Sequence, residues 1–196
     1  MRKKIILSVF LYSLALIDSF ILNHRIQNSS LSYVTALLYY LIVVGLLEYY
    51  LRPFHENLIS LKSLKYGKYF KIKKIVVYTV IAVTLIIKAI IYFQIEKSAH
   101  SPSWKMLLVY GSYAIGSVAE ELLFRYTIYE KILKEKFPAI VSVVIAAFLF
   151  AVFHGSLNMD FFAYFVIGLI WTYLFDLYPC LPLFVTYHFI WNMLNP

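Results

Sequence analysis

A single cysteine, Cys180, is the only thiol in this 196-residue chain. An internal disulfide and any cluster of cysteine metal ligands are therefore excluded. Charge is scarce as well: Asp, Glu, Lys and Arg make up 14% of the residues, against roughly 25% in a typical soluble domain. Acidic side chains are the scarcer sign, with 10 Asp and Glu against 18 Lys and Arg and a formal net charge of +8. Glycine and proline number six each, and no glycine-rich phosphate loop, internal repeat or low-complexity tract is present. What fills the chain instead is apolar: 62% of it is hydrophobic. A soluble domain of this size has no interior large enough to hide that much apolar surface, whereas lipid accepts it. On a soluble protein the positive charge would point to nucleic acid. Here it lies between apolar runs, so it reads as contact with membrane lipid headgroups and as a determinant of topology, with no nucleic acid expected as a partner.

A spanning helix needs roughly 20 mostly apolar residues. The pattern predicts an all-α, polytopic transmembrane helical bundle of about seven helices. They are expected near Ile5–Leu22, Leu31–Leu51, Ile75–Ile95, Met106–Tyr129, Pro138–Gly155, Asp160–Tyr178 and Leu181–Leu194. Met1-Arg2-Lys3-Lys4 followed by an apolar run resembles a signal peptide. No small-residue cleavage site stands before Asn23, so the run is expected to be retained as the first helix. Pro138 and Pro182 sit at expected helix starts, where proline is tolerated. The stretch from Leu58 to Lys74 alternates apolar residues with lysines and is expected to lie on the membrane surface. If the helices alternate, 13 basic residues fall on one side (2–4, 52–74 and 131–136), against Arg25, Lys97 and Lys105 on the other. The positive-inside rule then predicts a multi-pass cell-membrane protein with a cytoplasmic N-terminus.

Ionisable groups inside apolar helices are costly, so each one is informative. Asp18 and Lys88 are isolated in the pattern, and Asp176 lies near a helix end. Glu120-Glu121-Leu122-Leu123-Phe124-Arg125 differs from these. Glu121 and Arg125 are four apart, with the acid N-terminal, and can pair on one helix face. Successive residues of an α-helix point about 100° apart, which predicts that Glu120 faces elsewhere, without that partner, as a desolvated carboxylate available for proton transfer. Read alone, the group is equally an ion-pair cluster joining helices. His154 closes Phe150-Ala151-Val152-Phe153-His154, 34 residues after Glu120. The midpoint, Phe137, adjoins Pro138, so a helical hairpin turning there places the carboxylate and the imidazole at one height, able to share a water molecule. His188 and Asn192 are again four apart, on one face. Two donors aimed at one point can hold an oxyanion. Each of the two groups, read alone, is also ordinary hydrogen-bonded contact between helices.

Taken together, Glu120-Glu121-x-x-x-Arg125, Phe150-x-x-x-His154 and His188-x-x-x-Asn192 resemble the CPBP family of intramembrane proteases. That family covers the type II CAAX prenyl endopeptidases and the bacteriocin-processing or self-immunity (Abi-like) proteins. All three motifs are intact and in order. The resemblance implies a protease core in the last four helices, residues 106–196, preceded by N-terminal transmembrane helices with a basic cytoplasmic loop over residues 1–105. It also implies that Glu120 is the catalytic carboxylate, that His154 is its partner on the attacking water, that His188 and Asn192 stabilise the oxyanion, and that Glu121 and Arg125 brace the site. The substrate would be a membrane-associated protein or peptide. The metal question stays open. Glu120, His154 and His188 are a set of the kind that holds catalytic zinc, but the compact His-Glu-x-x-His spacing is missing, and the reading leans to a mechanism without a cofactor. The competing readings are a non-catalytic self-immunity or scaffold protein that binds a peptide or partner in the same cavity, and a small transporter or proton relay. A chain of this size is most similar to the bacterial immunity and peptide-processing branches.

Overall fold

The computed structural model describes residues 40–46, 68–95, 104–154 and 159–194, together with the single positions 6, 10, 38, 49 and 52. Almost all of the first expected helix, most of the second and the stretch at 58–67 lie outside the described residues. Within them every regular element is helical. Residues 40–46 are helical; α1 spans Lys68–Ile95, α2 Trp104–Glu120, a π-helix Glu121–Leu133, α3 Ala139–His154, α4 Met159–Leu177 and α5 Leu181–Met193. The last three agree with the expected bounds to within a residue or two. α1 starts earlier than expected, so Lys68 to Lys74 are its first two turns and not a surface segment.

Two helices are long and apolar enough to cross a membrane. The window Ile72–Ile91 has mean hydropathy 2.3 and Asp160–Leu177 has 1.4, and Ala139–His154 is a shorter apolar helix. Their outer faces carry large apolar side chains in the open, such as Ile86, Ile87 and Ile90 on α1 and Phe162, Val166 and Ile170 on α4. A continuous stripe of this kind is a liability in water and the ordinary surface of a helix in lipid.

The π-helix is the centre of the bundle. Residues 121–129 are buried without a break, so this segment is enclosed on all sides, by α2, α3, α4 and α5. It continues α2 directly, since Glu120 keeps right-handed helical angles (φ −68°, ψ −43°). It contains neither glycine nor proline. The wider turn leaves its mark on the hydrogen bonds. Lys134 N–H donates to the Tyr129 carbonyl five residues back, and the Thr127 hydroxyl donates to the Leu122 carbonyl, also five back, at 2.7 Å. π-Helical turns are rare and occur mostly at functional sites.

The chain turns at Lys134–Pro138 into α3, which packs along α4. Their closest approach is at Gly168, where a Cβ would lie 3.1 Å from the Ala147 Cα. One end of the bundle gathers the basic residues. Lys134 Nζ donates to Asp176 at 2.8 Å and to Glu130 at 3.3 Å. Burial works against the Lys134 ammonium, but the bonds to the two carboxylates outweigh it and hold its pKa above the ordinary lysine value. Lys74 Nζ stands 5.6 Å from the Tyr78 ring and 6.0 Å from the Tyr178 ring. Lys74 in the first turns of α1 and Lys134 after the π-helix therefore share one end, as alternating helices require. Asp176, near the end of its helix, is a partner in this cluster. Gly168→Leu should separate α3 from α4 and destabilise the protein by about 1–3 kcal/mol, as overpacking does, with Gly168→Ala milder; thermal unfolding of the detergent-solubilised protein measures both.

Candidate active site

Glu120 is the last residue of α2 and Glu121 the first of the π-helix. Glu120 keeps right-handed α-helical angles, and the two neighbours take different partners: Arg125 pairs with Glu121, while Glu120 meets the imidazoles. The two carboxylates reach one cluster from the two ends of the His188 ring. His188 lies between them. Its Nδ1 is 2.9 Å from Glu121 Oε1 and its Nε2 is 3.7 Å from Glu120 Oε2. His154 approaches the same Glu120 Oε2 with its Nε2 at 3.3 Å, which is the meeting of facing helices that a turn at Phe137 implies. Arg125 Nε is 3.4 Å from Glu121 Oε2, and both side chains are fully buried.

Hydrogen-bond partners assign the tautomers. His154 Nδ1 is 3.0 Å from the Phe150 carbonyl. A carbonyl only accepts, so Nδ1 carries the proton and Nε2 is turned to Glu120. Glu121, held by Arg125, accepts from His188 Nδ1 in the same way. Two imidazole Nε2 atoms thus point at one carboxylate oxygen.

Aromatic rings line the site. The Arg125 guanidinium lies 4.3 Å from the Phe150 ring centroid and 5.6 Å from that of Trp171. None of its three nitrogens meets hydrogen-bond geometry, so its contact with Glu121 is an ion pair reinforced by the ring faces. Tyr164 stacks on His154 with centroids 4.4 Å apart and planes at 26°. Trp171 Nε1 donates to Tyr187 Oη at 3.1 Å, and Tyr187 Oη is 2.8 Å from Thr84 Oγ1, tying α1 to the helix that carries His188. Asn192 Nδ2 donates to Ser117 Oγ at 3.4 Å, one turn beyond His188 and one turn before Glu120. The structure thus joins Glu120, Glu121, Arg125, His154 and His188 directly and brings Asn192 alongside through Ser117. Lys88, which looked isolated, stands 5.0 Å from the Trp191 ring centroid. Tyr164, Trp171, Ser117 and the Thr84–Tyr187 link had no place in the sequence reading. The only hint of them was position, as with Ser117, three residues before Glu120.

Among the described residues no group of three or more His, Cys, Asp and Glu side chains has the arrangement of a metal site. With each Nδ1 hydrogen-bonded to Phe150 or Glu121, the Glu120 carboxylate and the two free Nε2 atoms are the donors that would hold a metal. The arrangement also fits proton transfer: a largely buried carboxylate with two oriented imidazoles.

Arg125→Leu leaves the buried Glu121 charge without its cation. Removal of one partner of a buried pair costs about 3–5 kcal/mol. The variant should unfold at distinctly lower temperature than the parent in detergent, whereas a change confined to a surface pair, Lys134→Ala, should lower stability by no more than about 1 kcal/mol.

Against known proteins, residues 102–194 match the model of a family described as type II CAAX prenyl endopeptidase Rce1-like. Neither the curated proteins nor the solved structures contain a match to the chain.

Proposed function

We propose that this protein is an intramembrane endopeptidase of the CPBP/CAAX type, a reading supported by the match of residues 102–194 to the type II CAAX prenyl endopeptidase Rce1-like family model. It hydrolyses a peptide bond of a membrane-associated protein or peptide using a water molecule activated by Glu120 and His154. The observation that carries this reading is the convergence of His154 Nε2 and His188 Nε2 on Glu120 Oε2, at 3.3 Å and 3.7 Å, inside an apolar bundle.

Glu120 takes a proton from the water as its oxygen attacks the scissile carbonyl carbon, with His154 holding the water in line. The carbonyl oxygen gains negative charge in that step. His188 is the group placed to meet it: in its protonated form it donates from Nε2, with Glu121 behind its Nδ1. Asn192 supplies the second donor from its amide, one N–H of which already rests on Ser117. When the tetrahedral intermediate collapses, the C–N bond breaks and the proton held by Glu120 passes to the leaving amine. Arg125 pairs with Glu121, and Glu121 keeps His188 aimed. In this reaction Glu120 and His154 are the water-activating groups. The shared basic end is taken to face the cytoplasm, following the excess of lysine there.

Glu120→Gln should abolish cleavage while the protein remains folded and inserted; comparative peptidomics of cells carrying the parent or the variant reads this, and unchanged proteolysis would refute the assignment. Asn192→Ala, which removes one oxyanion donor, should lower kcat by roughly 10²–10³-fold, with KM little altered. Activity should persist after exhaustive zinc chelation, with metal analysis of the purified protein below one equivalent; loss of activity on chelation and recovery with zinc would require a metal-assisted step instead.

A further inference from the structure

A narrow crevice reaches Glu120 from the side of the helical stretch at 40–46. It is lined by Tyr40, Val43, Ala119, Glu120, Leu123 and Phe153. The Tyr40 ring lies flat against α2 because position 116 is glycine; a Cβ there would stand 3.1 Å from Tyr40 Cε2. Val43 is 1% exposed and packs into the core beside it. The space left within the crevice is about 10 Å³, enough for a group the size of a methyl or for one water molecule. Four of the six linings, Val43, Ala119, Leu123 and Phe153, present only hydrocarbon to the space, so a methyl-sized apolar group fits its wall.

We infer that this crevice is a substrate subsite that selects a small side chain, such as that of alanine, next to the scissile bond, and that Tyr40 and Val43 are specificity-determining residues. Both lie outside the segment that matches the family, residues 102–194. The N-terminal half thus supplies the wall that sets substrate size, while the C-terminal half supplies the reacting groups. The inference rests on the protease reading above. One missing or added methylene in an apolar pocket changes selectivity by roughly 10–200-fold, so a single change in the wall is measurable.

The test incubates the purified full chain in detergent with a proteome-derived peptide library and maps the cut sites by mass spectrometry, with Glu120→Gln as the blank. The parent should cut where Gly, Ala or Ser occupies one position flanking the broken bond. Val43→Ala deepens the crevice and should raise the share of cuts with Val or Leu at that position at least tenfold. Gly116→Ala pushes the Tyr40 ring and should narrow the preference further. Glu120-dependent cutting with the same residue profile in parent, Val43→Ala and Gly116→Ala overturns the subsite and leaves the protease reading standing. No Glu120-dependent cutting by the parent defeats the protease reading and the subsite with it.

Discussion

The bundle is organised around one chain of charge in its interior, running Arg125–Glu121–His188–Glu120–His154. Each ionised member would be expensive in an apolar surrounding and is tolerated only because its neighbour answers it. The guanidinium, with its nitrogens outside hydrogen-bond geometry, leans on the faces of Phe150 and Trp171 as well as on Glu121. This dependence ties helices that are far apart in sequence: α2 with its π continuation, α3 through His154 and α5 through His188. A bundle in lipid has no hydrophobic force between its helices, so van der Waals packing and such polar contacts set the arrangement. Small-residue packing does the rest, as at Gly168 against Ala147.

The two adjacent carboxylates reach the same cluster from opposite ends of one imidazole, Glu121 at His188 Nδ1 and Glu120 at its Nε2. The π-helix follows directly on Glu120. The wider turn costs helix regularity and stands where the segment is buried on every side and where the Thr127 hydroxyl donates to the Leu122 carbonyl. The two carboxylates have different surroundings: Glu121 is fully buried against a permanent cation, and Glu120 is slightly exposed and lies between two imidazoles.

Much of the fold was legible in the residues. The bounds of α3, α4 and α5 follow from apolar runs punctuated by Pro138, Asp160 and Pro182, because punctuation of this kind is local chemistry. The ion pair of Glu121 with Arg125 and the meeting of His154 with Glu120 were readable too, since both depend on spacing along a helix or about one turn. The start of α1 was misread because Lys68 to Lys74 look like a surface segment when only their polarity is weighed. The π winding was not foreseen because it leaves no signature in composition: Glu121–Leu133 has the residues of an ordinary α-helix. Tyr164, Trp171, Tyr187 and Thr84 were invisible as site residues, as an aromatic or a hydroxyl in an apolar helix is most often simply packed.

By itself the sequence determined that this chain is helical and suited to lipid, and which ionisable groups would have to find partners within it. Those properties come from hydropathy and from spacing along single helices, both of which are local. Only the tertiary structure decided that both carboxylates share one pocket, that both imidazoles turn their Nε2 atoms to the same oxygen, and that Tyr40 from the N-terminal half closes the side of that pocket. These depend on which helix faces which and on how tightly a backbone is wound, and distant contacts settle them through the cost of leaving a charge unanswered in an apolar interior.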